Sequence, residues 1–371
     1  MTNDTDLIIS RVDGRTGRLI INRPKALNAL SKEMCAIMND RLIAWAADRA
    51  IDRVVITASE GRAFCAGGDV RSINALILED VRHADDYFRV EYITHSILDT
   101  YPKPVISLAD GLTMGAGAGV LLHASHPVIT DAMDFAMPET AIGLFPDVAA
   151  SIFLRRAPAA AGLMMGMTGW RIGGGDMLAL GITDRGVASA DADRLCDAIV
   201  ALDDNAGLDD LLDSYSREMP DTPVVVALDW INGHFSKASP AAIRSSLEGD
   251  DHAMAEKLRL ALDTRSPLSI AVTHELLTNE AHHSASIREA IQLDYALACR
   301  ICRYPDFIEG VRALLIDKDN APSWMHRRLD DVAAETIAAI FAEDDRPRFD
   351  LPADYIPLMT TRVRLRYTPC C

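Results

Sequence analysis

The segment from residue 7 to residue 137 alternates between short apolar runs and longer runs with one apolar face, and this alternation constrains the fold most. The short runs predict strands at residues 7–12, 18–22, 54–58, 105–108, 128–130 and 134–137, with Gly14 and Gly17 marking the first turn. The longer runs predict a helix at residues 32–47, capped by Ser31, and helical structure at residues 70–99. Strands that alternate with helices predict a mixed α/β core.

The second half of the sequence has a different character. From about residue 190 it favours helices, and few strand-like runs follow. We therefore predict a core at residues 1–200 and a mostly helical region at residues 201–371 that packs against it. A chain of 371 residues is long enough for one large core with such an addition, and 49% hydrophobic residues argue against disorder.

The formal net charge of −17 limits the partners of the protein. It argues against nucleic acid and against an anionic membrane surface, because both attract basic proteins. No stretch approaches the roughly 20 apolar residues of a membrane span, and the polar, acidic residues 1–15 do not resemble a targeting segment, so a cytoplasmic location is expected. Cys299 and Cys302 lie in a predicted helix without a second pair, which favours reduced thiols and no metal site.

Three common kinds of site lack their motifs. The sequence has no phosphate-binding loop and no nucleophile elbow of a serine hydrolase. The run that starts at Gly115 resembles a dinucleotide fingerprint, but Val120 stands where that motif has its last glycine. These absences disfavour nucleotide hydrolysis, nicotinamide chemistry and serine-dependent hydrolysis.

Two glycine-rich turns, at residues 66–69 and 115–117, each follow a strand and open a helix. Small residues let a ligand approach the backbone there, and the first N–H groups of each helix have no partner within it. If the turns meet, their N–H groups could bind one oxygen, as an oxyanion hole does. Taken alone, each turn is more often a tight packing turn than a binding site.

A nearly apolar run at residues 135–147 contains two carboxylates, Glu139 and Asp147. Apolar surroundings would raise the pKa of a carboxylate and suit it to acid–base chemistry. Asp147 could instead cap a helix that begins at Val148.

These segments together resemble the crotonase superfamily, also called the enoyl-CoA hydratase/isomerase family. Residues 22–30 are similar to the first signature of that family, and the resemblance covers about residues 5–200. It implies a ββα-spiral core that binds a CoA thioester, with oxyanion amides from Gly68 and Ala116. The other residues that it places at the substrate are Lys25, Ala26, Ala66 and Asp69, and Arg62 and Arg71 are further candidates for phosphate contact.

Within the superfamily the sequence resembles the 3-hydroxyisobutyryl-CoA hydrolase branch. The second catalytic glutamate of the hydratases corresponds to Glu139, but Gly119 stands at the first. This chain resembles the branch in a Phe-Pro-Asp motif whose last residue is Asp147, and in a late signature at residues 306–324. It also places a substrate-contacting glutamate at Glu91, although the sequence is equally consistent with a solvated helix face at this position. Ala116 is a departure, because many relatives have glycine there.

The resemblance implies that Glu139 attacks the thioester, as a nucleophile or as a base for water. Asp147 would orient Glu139 or protonate the departing thiolate, and Glu91 would accept the substrate hydroxyl. CoA enters as part of the substrate, so no separate cofactor is expected. Valine breakdown is the implied context, and a homo-oligomer is possible. The alternatives are an enoyl-CoA hydratase or isomerase and a non-catalytic acyl-CoA-binding protein.

Overall fold

The computed structural model describes residues 6–158 and 160–359. In that part the strands are β1 Ile8–Asp13, β2 Thr16–Ile21, β3 Arg53–Ala58, β4 Ala63–Cys65, β5 Val105–Ala109, β6 Leu112–Met114, β7 His126–Thr130, β8 Asp134–Ala136, β9 Ile172–Gly173 and β10 Gly186–Val187. The helices of the first 200 residues are α1 Lys32–Ala47, α2 Val70–Glu79, α3 Val81–Asp99, α4 Ala116–Leu122, α5 Ala150–Arg156, α6 Ala161–Thr168, α7 Gly174–Ala179 and α8 Ala192–Val200. Those that follow are α9 Leu208–Tyr215, α10 Pro223–Val226, α11 Leu228–Phe235, α12 Pro240–Ser246, α13 Ala255–Thr264, α14 Pro267–Thr278, α15 Ile287–Ile301, α16 Asp306–Val311 and α17 Ala334–Phe341.

Two sheets form the core. The larger has the strand order β1-β2-β3-β5-β7-β10, in which only β1 and β2 pair antiparallel. The smaller has the order β4-β6-β8-β9. Each of β3, β5 and β7 is followed by one short strand of the smaller sheet, and helices follow β4 and β6. This repetition is the ββα spiral that the sequence resemblance implies, so the predicted fold class is confirmed.

The predicted elements of the first part of the chain are found with small shifts. Ser31 caps α1 by accepting a hydrogen bond of 3.2 Å from the backbone N–H of Met34, as expected. The helical segment at residues 70–99 is broken into α2 and α3 at Asp80, which caps α3. The prediction for Gly17 was wrong. It lies inside β2, where a Cβ atom would stand 2.6 Å from the Trp45 ring, so glycine is needed there for close packing and not for a turn.

The helical C-terminal region packs on the core, and it reaches the elements that carry the candidate site. Helix α15 lies along α3. Gly143, in the loop after Glu139, packs so closely on α16 that a Cβ atom would stand 2.3 Å from the backbone carbon of Asp306. The boundary near residue 200 stays a prediction, and residues 360–371 lie outside the described part. None of the helices in the described ranges is both long and apolar enough to cross a membrane.

Candidate active site

The two glycine-rich turns meet. Strands β4 and β6 pair in parallel, so the turns that follow them leave the sheet side by side. A Cβ atom placed on Gly115 would lie 3.5 Å from Cα of Gly67, which shows how closely the two backbones approach. Gly115 has a φ of +48° and Gly67 a φ of +112°, values that favour glycine. Both glycines therefore serve a backbone approach that a side chain would obstruct.

The amides of Gly68 and Ala116 are available at this junction. Ala116 is the first residue of α4, and the first N–H groups of a helix have no acceptor within it. Gly68 forms a parallel β-bridge with Leu30, but the hydrogen bonds of this bridge use the carbonyl of Gly67 and the N–H of Asp69. In the described ranges neither amide N–H donates to a protein acceptor. The pair thus has the two free donors that an oxyanion hole needs, and that role stays a prediction.

Glu139 lies against this junction. It opens a short 3₁₀-helix, Glu139–Ile142, after Pro138. A Cβ atom on Gly115 would lie only 2.8 Å from Oε1 of Glu139, and no protein atom in the described part hydrogen bonds Oε2. Burial, and then the charge of Asp147, raise the pKa of Glu139 well above its ordinary value. The carboxylate is therefore desolvated and aimed at the place where the two amides converge.

Arg265 supports the Glu139 turn from the other side. Its guanidinium donates hydrogen bonds of 3.3 Å to the carbonyl of Pro138 and to the hydroxyl of Thr140. Burial lowers the pKa of Arg265 to about 10, and its charge in turn moderates the raised pKa of Glu139. Arg265 comes from the C-terminal region, so the region helps to position the candidate catalytic carboxylate.

Asp147 is held by Tyr92 of α3, whose phenol donates a hydrogen bond of 2.5 Å to Oδ2. Burial and the charge of Glu91 raise the pKa of Asp147 to about 7, whereas the Tyr92 hydrogen bond lowers it. Asp147 does not cap a helix with its side chain, because α5 begins only at Ala150 and has no side-chain cap. The alternative interpretation of Asp147 as a helix cap is therefore wrong.

Glu91 occupies the opposite side of the junction, next to Gly68. A Cβ atom on Gly68 would lie 2.9 Å from Oε2 of Glu91 and 2.9 Å from Oη of Tyr87. The Tyr87 hydroxyl donates to the carbonyl of Leu30 and accepts from the N–H of Asp69, so it fixes the Gly68 turn. Glu91 is 3% exposed, and burial raises its pKa to about 7. It is not the solvated helix residue that its sequence allowed.

A cavity of about 240 Å³ connects these groups. It is lined by both turns and by all three carboxylates, with apolar side chains from α2, α3 and the C-terminal region: Ala66, Gly67, Gly68, Val70, Ile73, Phe88, Glu91, Met114, Gly115, Ala116, Pro138, Glu139, Ala141, Ile142, Leu144, Asp147, Leu314 and Leu315. Leu314 and Leu315 belong to a π-helical turn, Arg312–Ile316, after α16. Six of the nine predicted site residues line the cavity, namely Ala66, Gly68, Glu91, Ala116, Glu139 and Asp147.

Asp69, Lys25 and Ala26 do not line the cavity. The Asp69 carboxylate caps α2 and forms an ion pair with Arg23 at 2.7 Å, so it shapes the turn. Lys25 and Ala26 lie in a 3₁₀-helix, Pro24–Ala26, where Lys25 is exposed. Their contact with CoA stays a prediction.

The two other candidate cations, Arg62 and Arg71, lie in different surroundings. Arg62 is exposed. It lies near the same 3₁₀-helix, since its neighbour Gly61 approaches Pro24. Arg71 donates to the carbonyl of Leu315, which ties α2 to the cavity rim. Their contact with CoA phosphates also stays a prediction.

Gly119, where the hydratases carry their first glutamate, faces the ring of His95. A Cβ atom there would lie 2.5 Å from Cε1 of His95. The space of a second acid is thus filled by an imidazole from α3.

In the described ranges, no group of three or more histidine, cysteine, aspartate and glutamate side chains is placed to hold a metal.

Sequence reasoning missed Tyr87, Tyr92, His95 and Arg265. The first three lie on α3, and Tyr87, Glu91 and His95 are spaced four residues apart, which places them on one helix face. Polar residues at that spacing in a helix facing a glycine-rich turn were an available signal. Arg265 left no such signal, because it is distant in sequence from every other site residue.

Comparisons with known proteins agree on the architecture. Residues 16–341 match a family model described as Enoyl-CoA hydratase/isomerase. A curated relative from Xenopus tropicalis, named 3-hydroxyisobutyryl-CoA hydrolase, mitochondrial, is 38% identical and covers 92% of this chain and 91% of its own length. The structure of an enoyl-CoA hydratase from Rhodobacter sphaeroides 2.4.1 is 36% identical, with a TM-score of 0.83 over 96% of this chain and 100% of that one. That of a carnitinyl-CoA dehydratase from Mycobacterium thermoresistibile is 32% identical, with a TM-score of 0.87 over 94% and 100%.

Proposed function

The chain belongs to the enoyl-CoA hydratase/isomerase family, and we propose that within this family it is a thioester hydrolase that cleaves 3-hydroxyisobutyryl-CoA to 3-hydroxyisobutyrate and CoA. One observation carries the proposal. Glu139 is a desolvated carboxylate beside the junction at which the unpartnered amides of Gly68 and Ala116 converge. The relative from Xenopus tropicalis supports this substrate, since its name specifies it.

In the proposed reaction the thioester carbonyl oxygen lies between the amides of Gly68 and Ala116. Glu139 acts in its ionised form, which burial disfavours and the nearby charge of Arg265 favours. Either its oxygen attacks the carbonyl carbon, or it takes a proton from a water that attacks. The carbon–oxygen π bond opens, and the two N–H groups stabilise the new oxyanion. A single donor of this kind typically contributes a factor of about 10²–10³ in rate.

Collapse of the tetrahedral intermediate re-forms the carbonyl and breaks the carbon–sulfur bond. The departing thiolate needs a proton, and Asp147 is suited to supply it because its pKa is raised to about 7. If Glu139 attacks directly, water then cleaves the acyl anhydride and regenerates the carboxylate. In this scheme Glu91, which lies beside Gly68 in the same cavity, accepts the hydrogen of the 3-hydroxyl group.

The second candidate function is hydration of an enoyl-CoA, which the names of the two solved structures suggest. Addition of water across a double bond uses two acid–base groups at the reacting carbons. The Gly119 position supplies none here, and the His95 ring fills its space. This arrangement favours thioester hydrolysis over hydration.

The test follows thiol release from 3-hydroxyisobutyryl-CoA with a thiol-reactive dye, and hydration of crotonyl-CoA by the loss of its conjugated absorbance. We expect thiol release without hydration. The Glu139→Gln and Asp147→Asn variants, which keep the side-chain shapes, should lose at least about 10²-fold in rate. Hydration without thiol release would contradict the proposal. Binding of both esters without either reaction would identify a non-catalytic acyl-CoA-binding protein.

Three predictions about the cellular setting accompany the proposal. A hydrolase of this substrate would act in valine breakdown. The cytoplasmic location stays a prediction, and the curated relative is named as mitochondrial. The possible homo-oligomer also stays a prediction, which light scattering on the purified chain would test.

A further inference from the structure

His95 is a buried side chain without any hydrogen-bond partner. Its exposed fraction is 0%, and in the described ranges neither Nδ1 nor Nε2 is bonded to a protein atom. Burial lowers the pKa of the imidazole to about 3, so the ring is neutral and carries one N–H donor and one acceptor nitrogen. Buried polar groups are nearly always paired, and an unpaired one in a folded protein needs an explanation.

The carboxylate of Glu91 lies close to that donor. Both residues lie on α3, four positions apart, and Nε2 of His95 is 3.9 Å from Oε1 of Glu91. The other oxygen, Oε2, lies beside Gly68 and the Tyr87 hydroxyl. His95 and Tyr87 therefore flank Glu91 from the two neighbouring turns of the helix, and each faces a different carboxylate oxygen.

The ring has little freedom to turn elsewhere. Gly119 touches one edge of it, and the His123 and Tyr92 rings stand at centroid distances of 5.6 Å and 6.5 Å. His123 itself contacts the carbonyl of Val148 at 2.9 Å through Nε2. A small rotation of Glu91 would bring its Oε1 within hydrogen-bond distance of His95. Hydrogen bonds in enzymes often shorten in this way only when substrate is bound.

We propose that His95 is a positioning residue for Glu91 and thereby determines the preference for acyl groups that carry a 3-hydroxyl. With Nε2–H donating to Oε1, Glu91 presents Oε2 to the cavity as a fixed acceptor for the substrate hydroxyl. This inference rests on the proposed function, because it specifies how the acyl group is recognised. It concerns binding of the hydroxyl group and not the attack by Glu139.

The experiment compares 3-hydroxyisobutyryl-CoA with isobutyryl-CoA, which lacks only the hydroxyl group. The ratio of their kcat/KM values measures the hydroxyl preference. His95→Gln can keep an N–H near the position of Nε2, whereas His95→Asn keeps one only near Nδ1, and His95→Leu has none. We expect His95→Asn and His95→Leu to lose at least about 10-fold in the ratio, with little change for isobutyryl-CoA. His95→Gln should retain most of the preference.

Thr94→Val is the matched control, since Thr94 is buried on a neighbouring face of α3 and its hydroxyl bonds the carbonyl of Val90. It should leave the ratio unchanged. Equal losses for both esters in every His95 variant would indicate a merely structural role and overturn the inference. An unchanged ratio in His95→Asn and His95→Leu would overturn it as well.

A binding measurement separates this inference from the proposed function. In the Glu139→Gln background the affinity of each ester is measured by calorimetry, without turnover. We expect 3-hydroxyisobutyryl-CoA to bind more tightly than isobutyryl-CoA, and His95→Leu to remove the difference. Equal affinities with His95 intact would overturn the inference, whether or not the wild-type chain releases thiol. Absence of thiol release by the wild type would instead contradict the proposed function.

Discussion

The hydroxyl of Tyr92 lies 2.5 Å from Oδ2 of Asp147, in a part of the molecule where both side chains are buried. The phenol donates this hydrogen bond, which stabilises the ionised carboxylate. It opposes the effects of burial and of the Glu91 charge, which both raise the pKa of Asp147. The protonation of a candidate catalytic acid therefore depends on a residue that does not line the cavity.

Tyr92→Phe removes this donor, so the pKa of Asp147 should rise further. Protonation of the thiolate leaves Asp147 ionised, and a hydrogen bond to a charged group contributes about 1.5–3 kcal/mol. Without this stabilisation of the ionised form, we expect thiol release to fall by about 10-fold or more. Any limb of the pH–rate profile that reflects Asp147 ionisation should move to higher pH. Tyr101→Phe is the control, since it removes a buried phenol that bonds Leu42 outside the site. Equal effects of the two variants would contradict this role of Tyr92.

Asp294 fixes the turn that follows Asp147. Val148 and Ala149 have φ values of +52° and +59°, which are strained for residues with a side chain, and most of all for a β-branched valine. The N–H of Ala149 donates to Oδ2 of Asp294 at 2.6 Å. Burial and the charge of Asp147 raise the pKa of Asp294 well above its ordinary value, which favours its neutral form.

The two substitutions of Asp294 should therefore differ. Asp294→Asn keeps a carbonyl oxygen for the Ala149 N–H, and we expect its thiol release to remain within a few-fold of wild type. Asp294→Ala leaves that N–H without an acceptor, which costs about 1–3 kcal/mol. Because this distorts the turn after Asp147, thiol release should fall in Asp294→Ala, and the decrease should appear mainly in kcat. A defect in Asp294→Asn as large as that in Asp294→Ala would refute this explanation.

The buried acids make stability fall with pH. Asp147 has a folded pKa of about 7, above that of the unfolded chain, so the folded state binds more protons between these values. Its stabilising effect is present at low pH and is lost as the pH rises through the folded value. Since a pKa difference of one unit corresponds to about 1.4 kcal/mol, Asp147→Asn should stabilise the protein by about 1–3 kcal/mol near pH 8. Denaturant unfolding near pH 5 and pH 8 checks this, and an equal gain at both would be inconsistent with it.

Gly119 and Gly233 form a matched pair of helical glycines. A Cβ atom on Gly119 would meet His95 at 2.5 Å, whereas one on Gly233, in α11, would meet nothing within 4 Å. Gly119→Ala should therefore destabilise the protein by about 1–3 kcal/mol through overpacking. Gly233→Ala should stabilise it by up to about 1 kcal/mol, because alanine favours helices. Unfolding by denaturant measures both, and a smaller cost of Gly119→Ala in the His95→Ala background would confirm the cause.

Much of the site could be predicted from short segments of sequence. The Ser31 cap, the two glycine-rich turns and the pair Glu139 and Asp147 each depend on neighbours within a few residues. The strands β4 and β6 could not be seen in this way, because each is three residues long and lies between glycines that indicate a loop. They form because β4 pairs with β6 and β6 pairs with β8, and each of these partners lies about twenty residues or more away along the chain.

The order of residues along the chain was enough to predict the α/β alternation, the family and the two candidate catalytic carboxylates, Glu139 and Asp147. These properties are local, or they depend on the order of motifs along the chain. The three-dimensional fold was needed to show that the two turns meet and that His95 occupies the space beside Gly119. It was also needed to show that Asp294 and Arg265 support the site from the helical region. Each of these contacts joins residues that are distant along the chain, or depends on burial. Folding brings such groups together, and the periodicity of the sequence does not reveal these contacts.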